Sequence, residues 1–190
     1  MPDGLNYAPL PIANFGLGLP WNTEVKIRFL PTTSVGNGTN IGIFGLGVMH
    51  DIKQHIPGIK VAPFDLSAFV GYTSFKSDVS FDPTGNPSQV GKSEFSATTI
   101  QGLIGKKFSI LTLYASLGYN FSSGTFKATG TYTDSSTGAS FTDPISLASS
   151  VSGFRGSAGL RLKLLILTLH ADYTLQAYNT LTVGVGLSVR

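Results

Sequence analysis

His170 and Asp172, two positions apart, are the residues of this sequence best placed for acid–base chemistry. In an extended segment, side chains at i and i+2 project from one face, so an imidazole base and an orienting carboxylate would stand side by side. A hydrolase would also need an activated nucleophile. The sequence has no Cys, which removes a thiolate nucleophile and any zinc–cysteine site, and it has no Gly-x-Ser-x-Gly elbow. His50, His55 and His170 read as too scattered for a metal site, and Asp78, Asp82, Asp134 and Asp143 lack calcium-loop spacing. The glycine pairs Gly16/Gly18, Gly45/Gly47 and Gly184/Gly186 lie inside extended runs and complete no phosphate loop. A barrel-embedded hydrolase is therefore the remote reading. The expectation is no enzyme, no metal and no cofactor, with His170 and Asp172 in a hydrogen-bond network.

The charged residues fall into same-face sets. Glu24, Lys26 and Arg28 form one; Arg155, Arg161 and Lys163 form another. If these faces met lipid, a cation near the midplane would cost about 2–4 kcal/mol. They are expected to point into a lumen and to pair with Glu24, Asp65, Glu94 or Asp172. Such a lining could select acidic solutes or, as favoured for so small a barrel, seal it with salt bridges.

The elements that position these residues follow from parity. In Leu165–Ala177 the odd positions read Leu, Leu, Leu, Ala, Tyr, Leu, Ala, and the even ones Ile, Thr, His, Asp, Thr, Gln. The same alternation marks strands at 23–30, 64–75, 109–122, 151–163 and 180–190, with less regular ones at 12–19, 40–49 and 94–106. Leu111, Leu113, Leu117, Leu167, Leu169, Val183 and Val185 fall on the greasy face and are the expected lipid-facing residues. Trp21 at one end, and Tyr72, Tyr119, Phe121, Tyr173 and Tyr178 toward the other, could form two interfacial belts. Ile110–Ala115 and Ile166–Ala171 repeat one another, each after a basic turn; the simple reading is shared strand composition.

Tight turns near 20–22, 107 and 163–164 alternate with the longer polar stretches 32–39, 76–92 and 123–149. That lopsidedness, short turns on one side and long loops on the other, is typical of transmembrane barrels. A helical turn is expected at 51–57.

Composition agrees. Only 12% of the 190 residues are charged, against about 25% in an ordinary soluble domain. The net charge of +3 is unclustered, which leaves no nucleic-acid footprint. No window reaches the roughly 18 apolar residues of a transmembrane helix. The start, Met1-Pro2-Asp3-Gly4, has neither the basic nor the apolar region of a signal peptide, so an exported protein would be a mature or front-shortened form.

Three runs carry a resemblance: Leu17-Gly18-Leu19-Pro20 followed by Thr23-Glu24-Val25 and Arg28-Phe29-Leu30-Pro31; Gly47 through Gly58, with His50-Asp51-Ile52-Lys53-Gln54-His55; and Pro63-Phe64-Asp65-Leu66-Ser67. Together they resemble an uncharacterised outer-membrane β-barrel family of Bacteroidota. The resemblance implies a chain lacking N-terminal strands, and it carries no catalytic or binding residues.

The expectation is thus one all-β domain over residues 1–190. It is an antiparallel up-and-down transmembrane barrel with roughly 8–10 strands in this chain, incomplete at its N-terminus. Its role would be passive in the bacterial outer membrane (a small-solute pore, a ligand-binding or a structural barrel), with lipids and at most a small solute as partners. Oligomeric state is open. The alternative is a soluble lipocalin-like barrel whose greasy face surrounds an apolar ligand. The direction of the Leu and Val side chains separates the two.

Overall fold

The computed structural model describes residues 12–34, 38–80, 90–133, 136–142, 145–177 and 179–187. Nine antiparallel strands form one sheet: β1 (Ala13–Leu19), β2 (Thr23–Ser34), β3 (Thr39–Asp51), β4 (Asp65–Ser80), β5 (Val90–Phe108), β6 (Leu111–Thr129), β9 (Ile145–Leu164), β10 (Leu167–Leu175) and β11 (Thr180–Leu187). Neighbours in the sheet are neighbours in sequence, apart from a small hairpin, β7 (Thr131–Thr133) with β8 (Ser140–Thr142), between β6 and β9. The sheet curls as a half-barrel, and among the described residues β1 and β11 each pair on one side only.

Tight turns fix the register. Phe108 pairs with Leu111, and Leu164 with Leu167, around two-residue loops. Ser109 and Leu165 hold φ of 51° and 57° there, the left-handed region that two-residue hairpins require. The repeated Ile110–Ala115 and Ile166–Ala171 segments thus leave the same kind of turn. At the first hairpin, Trp21 and Asn22 are also left-handed, with φ 61° and 54°. Gln54 ties that turn down, donating to the Trp21 carbonyl at 3.2 Å while accepting from the Asn22 amide at 3.2 Å. The segment expected to be a helical turn at 51–57 contains a single 3-10 turn, Lys53–His55, stopped short of a helix by Pro57-Gly58.

The central strands outrun their expected ends. β4 reaches Ser80, β5 begins at Val90, β6 reaches Thr129 and β9 begins at Ile145, so much of the stretches expected as loops at 76–92 and 123–149 is ladder. Ser, Thr and Lys in those stretches suggest a loop, yet they alternate with Phe126 and Leu147 and continue the parity of Phe75 and Phe95 at the adjoining strand ends, and the backbone pairs to the end.

Glycine lets neighbouring strands close up. Gly118 faces Gln101, and a Cβ there would stand 2.3 Å from the Ile100 carbonyl oxygen, whereas a Cβ on Gly102 would meet nothing within 4 Å. Backbone cannot retreat without breaking the ladder, so Gly118→Val should lower the unfolding free energy by about 1–3 kcal/mol. Gly102→Val should leave it within about 0.5 kcal/mol. Urea midpoints of the two refolded variants check this; equal midpoints would contradict the packing described.

Candidate functional site: the inner face of the curled sheet

Register assigns every expected charge to a face. Lys26 pairs with Gly47, Gly47 with Gly71 and Gly71 with Thr99, which aligns Glu24, Lys26, Arg28 and Asp65 on one side. Thr99 pairs with Asn120, and Asn120 with Gly153, which adds Arg155, Arg161 and Lys163. Asp172 opposite Gly159 adds His170 and Asp172. This is the inside of the curl, because contacts that skip a strand occur on it. Tyr114 on β6 donates to Asp172 Oδ1 on β10 at 2.5 Å, and Asn120 Nδ2 donates to Gln176 Oε1 at 3.2 Å, both across β9. Arg155 on β9 feels the charges of Asp172 and of Arg28, the latter far along the sheet on β2.

The His–Asp pair is dissolved by this geometry. Asp172 engages Tyr114, not His170, and the Tyr114–Asp172 bridge passes over Gly159, where a Cβ would lie 2.6 Å from the carboxylate and 2.7 Å from the phenol ring. His170 lies flat on Gly184, whose Cβ would stand 2.4 Å from the imidazole. Arg161 sits over the Tyr114 ring, 6.0 Å from its centroid. The repeated segments differ at one position, Tyr114 in the first and His170 in the second, and both residues are inward.

The expected ion pairs form only in part. Lys26 meets Glu24 at 3.6 Å, but Glu94 lies on the outer face and pairs with Lys76 at 3.3 Å. An even number in β5 sends Glu94 outward, whereas the inner set there is odd. Arg28 Nε instead donates to Asn14 Oδ1 at 3.0 Å. The sequence also understates how close two histidines come: His50 Nε2 and His55 Nε2 are 3.0 Å apart with stacked rings, and His50 Nδ1 meets Thr23 Oγ1 at 2.9 Å. The 3-10 turn folds His55 back over His50. Among the described residues no cluster of three metal-ligating side chains exists.

The opposite face carries Leu111, Leu113, Leu117, Leu167, Leu169, Val183 and Val185, as parity demands. Leu117 is 78% exposed and Val183 72%, while Leu111, Leu113, Leu167 and Leu169 are about half-covered by their neighbours. Trp21, at the short-turn end, is 83% exposed. Tyr72, Tyr119, Phe121 and Tyr173 share the outer face, whereas Tyr178 lies outside the described residues. Phe154 joins them, edge-on to Tyr119 at 5.2 Å between centroids.

One feature escaped the sequence reading. Above Phe121 the outer positions of β6 become Ser123, Thr125 and Lys127, and above Tyr72 those of β4 become Ser74, Lys76 and Asp78. On the inner face the change runs the other way. There Phe75, Phe95, Phe126, Leu147 and Val151 line a cleft of about 430 Å³ with Thr73, Ala97, Ser122 and Gly124. Phe95 lies against Gly124, whose Cβ would be 2.7 Å from its ring, and meets Phe75 at 6.0 Å. The signal was present in the parity of the three Phe, Phe75 and Phe95 at the ends of expected strands and Phe126 in a stretch whose Ser and Thr content suggested a loop.

The fold and this inner face define an all-β antiparallel, barrel-like curled sheet. The family of unknown function DUF6588 matches residues 1–189, and the chain belongs to it. No curated protein matches the sequence.

The Tyr114–Asp172 bond crosses the sheet and should stabilise its curl. Tyr114→Phe is expected to cost roughly 1.5–3 kcal/mol, the range for a hydrogen bond to a charged group, read as a lower urea midpoint. An unchanged midpoint would mean that the bond contributes nothing.

Proposed function

We propose that this chain forms the wall of a β-barrel in the bacterial outer membrane, with its Leu, Val and Ile face against lipid, and that its role is non-enzymatic. The observation that carries this reading is the height of the apolar band. On β6 the outward residues are Leu111, Leu113, Ala115, Leu117, Tyr119 and Phe121, then Ser123. Ten residues span about 33 Å along a strand, and a tilt of about 40° reduces that to about 25 Å of height, matching the apolar band of an outer-membrane barrel. Aromatic side chains Tyr72, Phe121 and Phe154 cluster where the band ends, as interfacial girdles do. No helix among the described residues is long and apolar enough to cross a membrane, so the strands would have to span it.

Inside the wall, the polar face would surround a narrow lumen. Tyr114–Asp172, Asn120–Gln176 and the Ser116–Ser157 bond at 2.6 Å bridge strands within it. These bridges favour a lumen filled or tightly narrowed by side chains over a wide channel. The proposal assigns His170 and Asp172 to that lining rather than to catalysis.

Two arginine substitutions on the outer face of β6 test the reading in liposomes. Leu117→Arg would place a cation near the bilayer midplane and should lower the unfolding free energy by about 2–4 kcal/mol, while Thr125→Arg, above the band, should change it by less than about 1 kcal/mol. Failure of the wild-type chain to float with vesicles after carbonate washing, or equal costs for the two variants, would contradict it.

A further inference from the structure

Two features of the inner face remain unexplained by a passive wall. The first is the apolar cleft of Phe75, Phe95, Phe126, Leu147 and Val151 at the long-loop end. A water-filled mouth gains nothing from large apolar side chains, and Leu147 and Val151 are 63% and 62% exposed there. A volume of about 430 Å³ lies within the usual range of small-ligand cavities.

The second is an excess of positive charge directly below. Arg28 and Arg155 lie within electrostatic reach of one another. Arg28 has the neutral Asn14 as its hydrogen-bond partner, and the carboxylate in reach of Arg155, Asp172, is already bonded to Tyr114. Arg155 Nε is buried and finds no hydrogen-bond partner among the described residues; the other such side-chain atom is Gln101 Oε1. Gln101 and Arg155 share a register row, separated only by Gly118. A buried N–H of a cation without an acceptor is costly, and an anion would satisfy it.

The register connects the two features. Arg28, Gly45, Thr73, Ala97, Ser122 and Val151 form one continuous row across the sheet, so the cleft floor lies at the level of Arg28 along the ladder. Val151 and Arg155 are four residues apart on the same face of β9, about 13 Å. We propose that this mouth binds an anionic amphiphile, a long-chain carboxylate, with its hydrocarbon tail in the Phe75–Phe95–Leu147–Val151 cleft and its head group on Arg28 and Arg155. The inference rests on the polar face lining the lumen of a membrane wall. It adds what that lumen would recognise.

Binding of radiolabelled laurate to the full chain in lipid nanodiscs, above the level of empty discs, tests it, with 1-dodecanol as the uncharged control. Wild type should bind laurate saturably and at least about tenfold more tightly than dodecanol. Arg155→Gln and Arg28→Gln should each weaken laurate about tenfold and leave dodecanol unchanged, which also shows that the cleft is intact. Leu147→Ser with Val151→Ser should weaken both probes. If Arg155→Gln fails to fold, Arg28→Gln carries the test. Disc-inserted protein that takes up no laurate saturably, or that binds it equally with and without these substitutions, overturns the site and leaves the membrane reading standing. A chain that stays out of discs yet binds laurate with the same variant dependence upholds the site and removes the membrane reading.

Discussion

Because successive side chains of a strand point to opposite faces, a one-residue slip in any ladder would carry its whole inward set outward. Everything in this molecule depends on that register being held. Glu24 through Arg28 share a face with Asp172 only because six intervening pairings preserve parity from β2 to β10. The tight turns at Ser109 and Leu165 lock the register locally, at the cost of left-handed backbone at residues that are not glycine. Contacts that skip a strand, above all Tyr114 to Asp172 over Gly159, lock it across the curl. Glycine at 159 is therefore part of the same device as the tyrosine and the aspartate.

The nine-strand sheet has little conventional core. Leu30 and Ala128 are the buried apolar residues among those described, and Ser116 and Thr174 the buried polar ones. With so little apolar burial within the chain, the exposed face of Leu, Val, Ile and aromatic residues needs an apolar surrounding. The proposed bilayer supplies one. On that proposal the inversion of polarity above Phe121 follows the same logic: where the wall would rise out of lipid, its outer face turns to Ser, Thr, Lys and Glu, and apolar residues line the inside.

Strand positions and their two faces were legible because period-two alternation is a local property of residues such as Leu111 to Phe121. The membership of His170, Asp172, Arg155 and Arg161 in one inward set was legible for the same reason. What could not be read was which inward residues meet, since that depends on curl and on the offset between strands. Asp172 stands two residues from His170 in sequence, yet it bonds Tyr114, 58 positions away. His50 and His55 looked isolated because the 3-10 turn that brings them together is specified by only a few residues around Pro57. The cleft was missed for a third reason: Phe75 and Phe95 stood at the ends of expected strands, and around Phe126 and Leu147 the Ser- and Thr-rich composition outweighed the alternation, although paired backbone needs no apolar partner to stay extended.

In the proposed membrane wall the two faces of β6 see different surroundings and exchange them near Phe121. The chain has no native cysteine, so single cysteines carrying a nitroxide can be placed in turn from Leu111 to Lys127 in liposome-reconstituted protein. Collision rates with oxygen, which concentrates in lipid, and with a water-soluble nickel chelate then report the surroundings of each position. Labels at 113, 115, 117 and 119 should respond to oxygen, labels at 123, 125 and 127 to nickel, and labels at 114, 116 and 118 in the opposite phase. Nickel access at 113 to 119 equal to that at 125 and 127 would contradict that exchange.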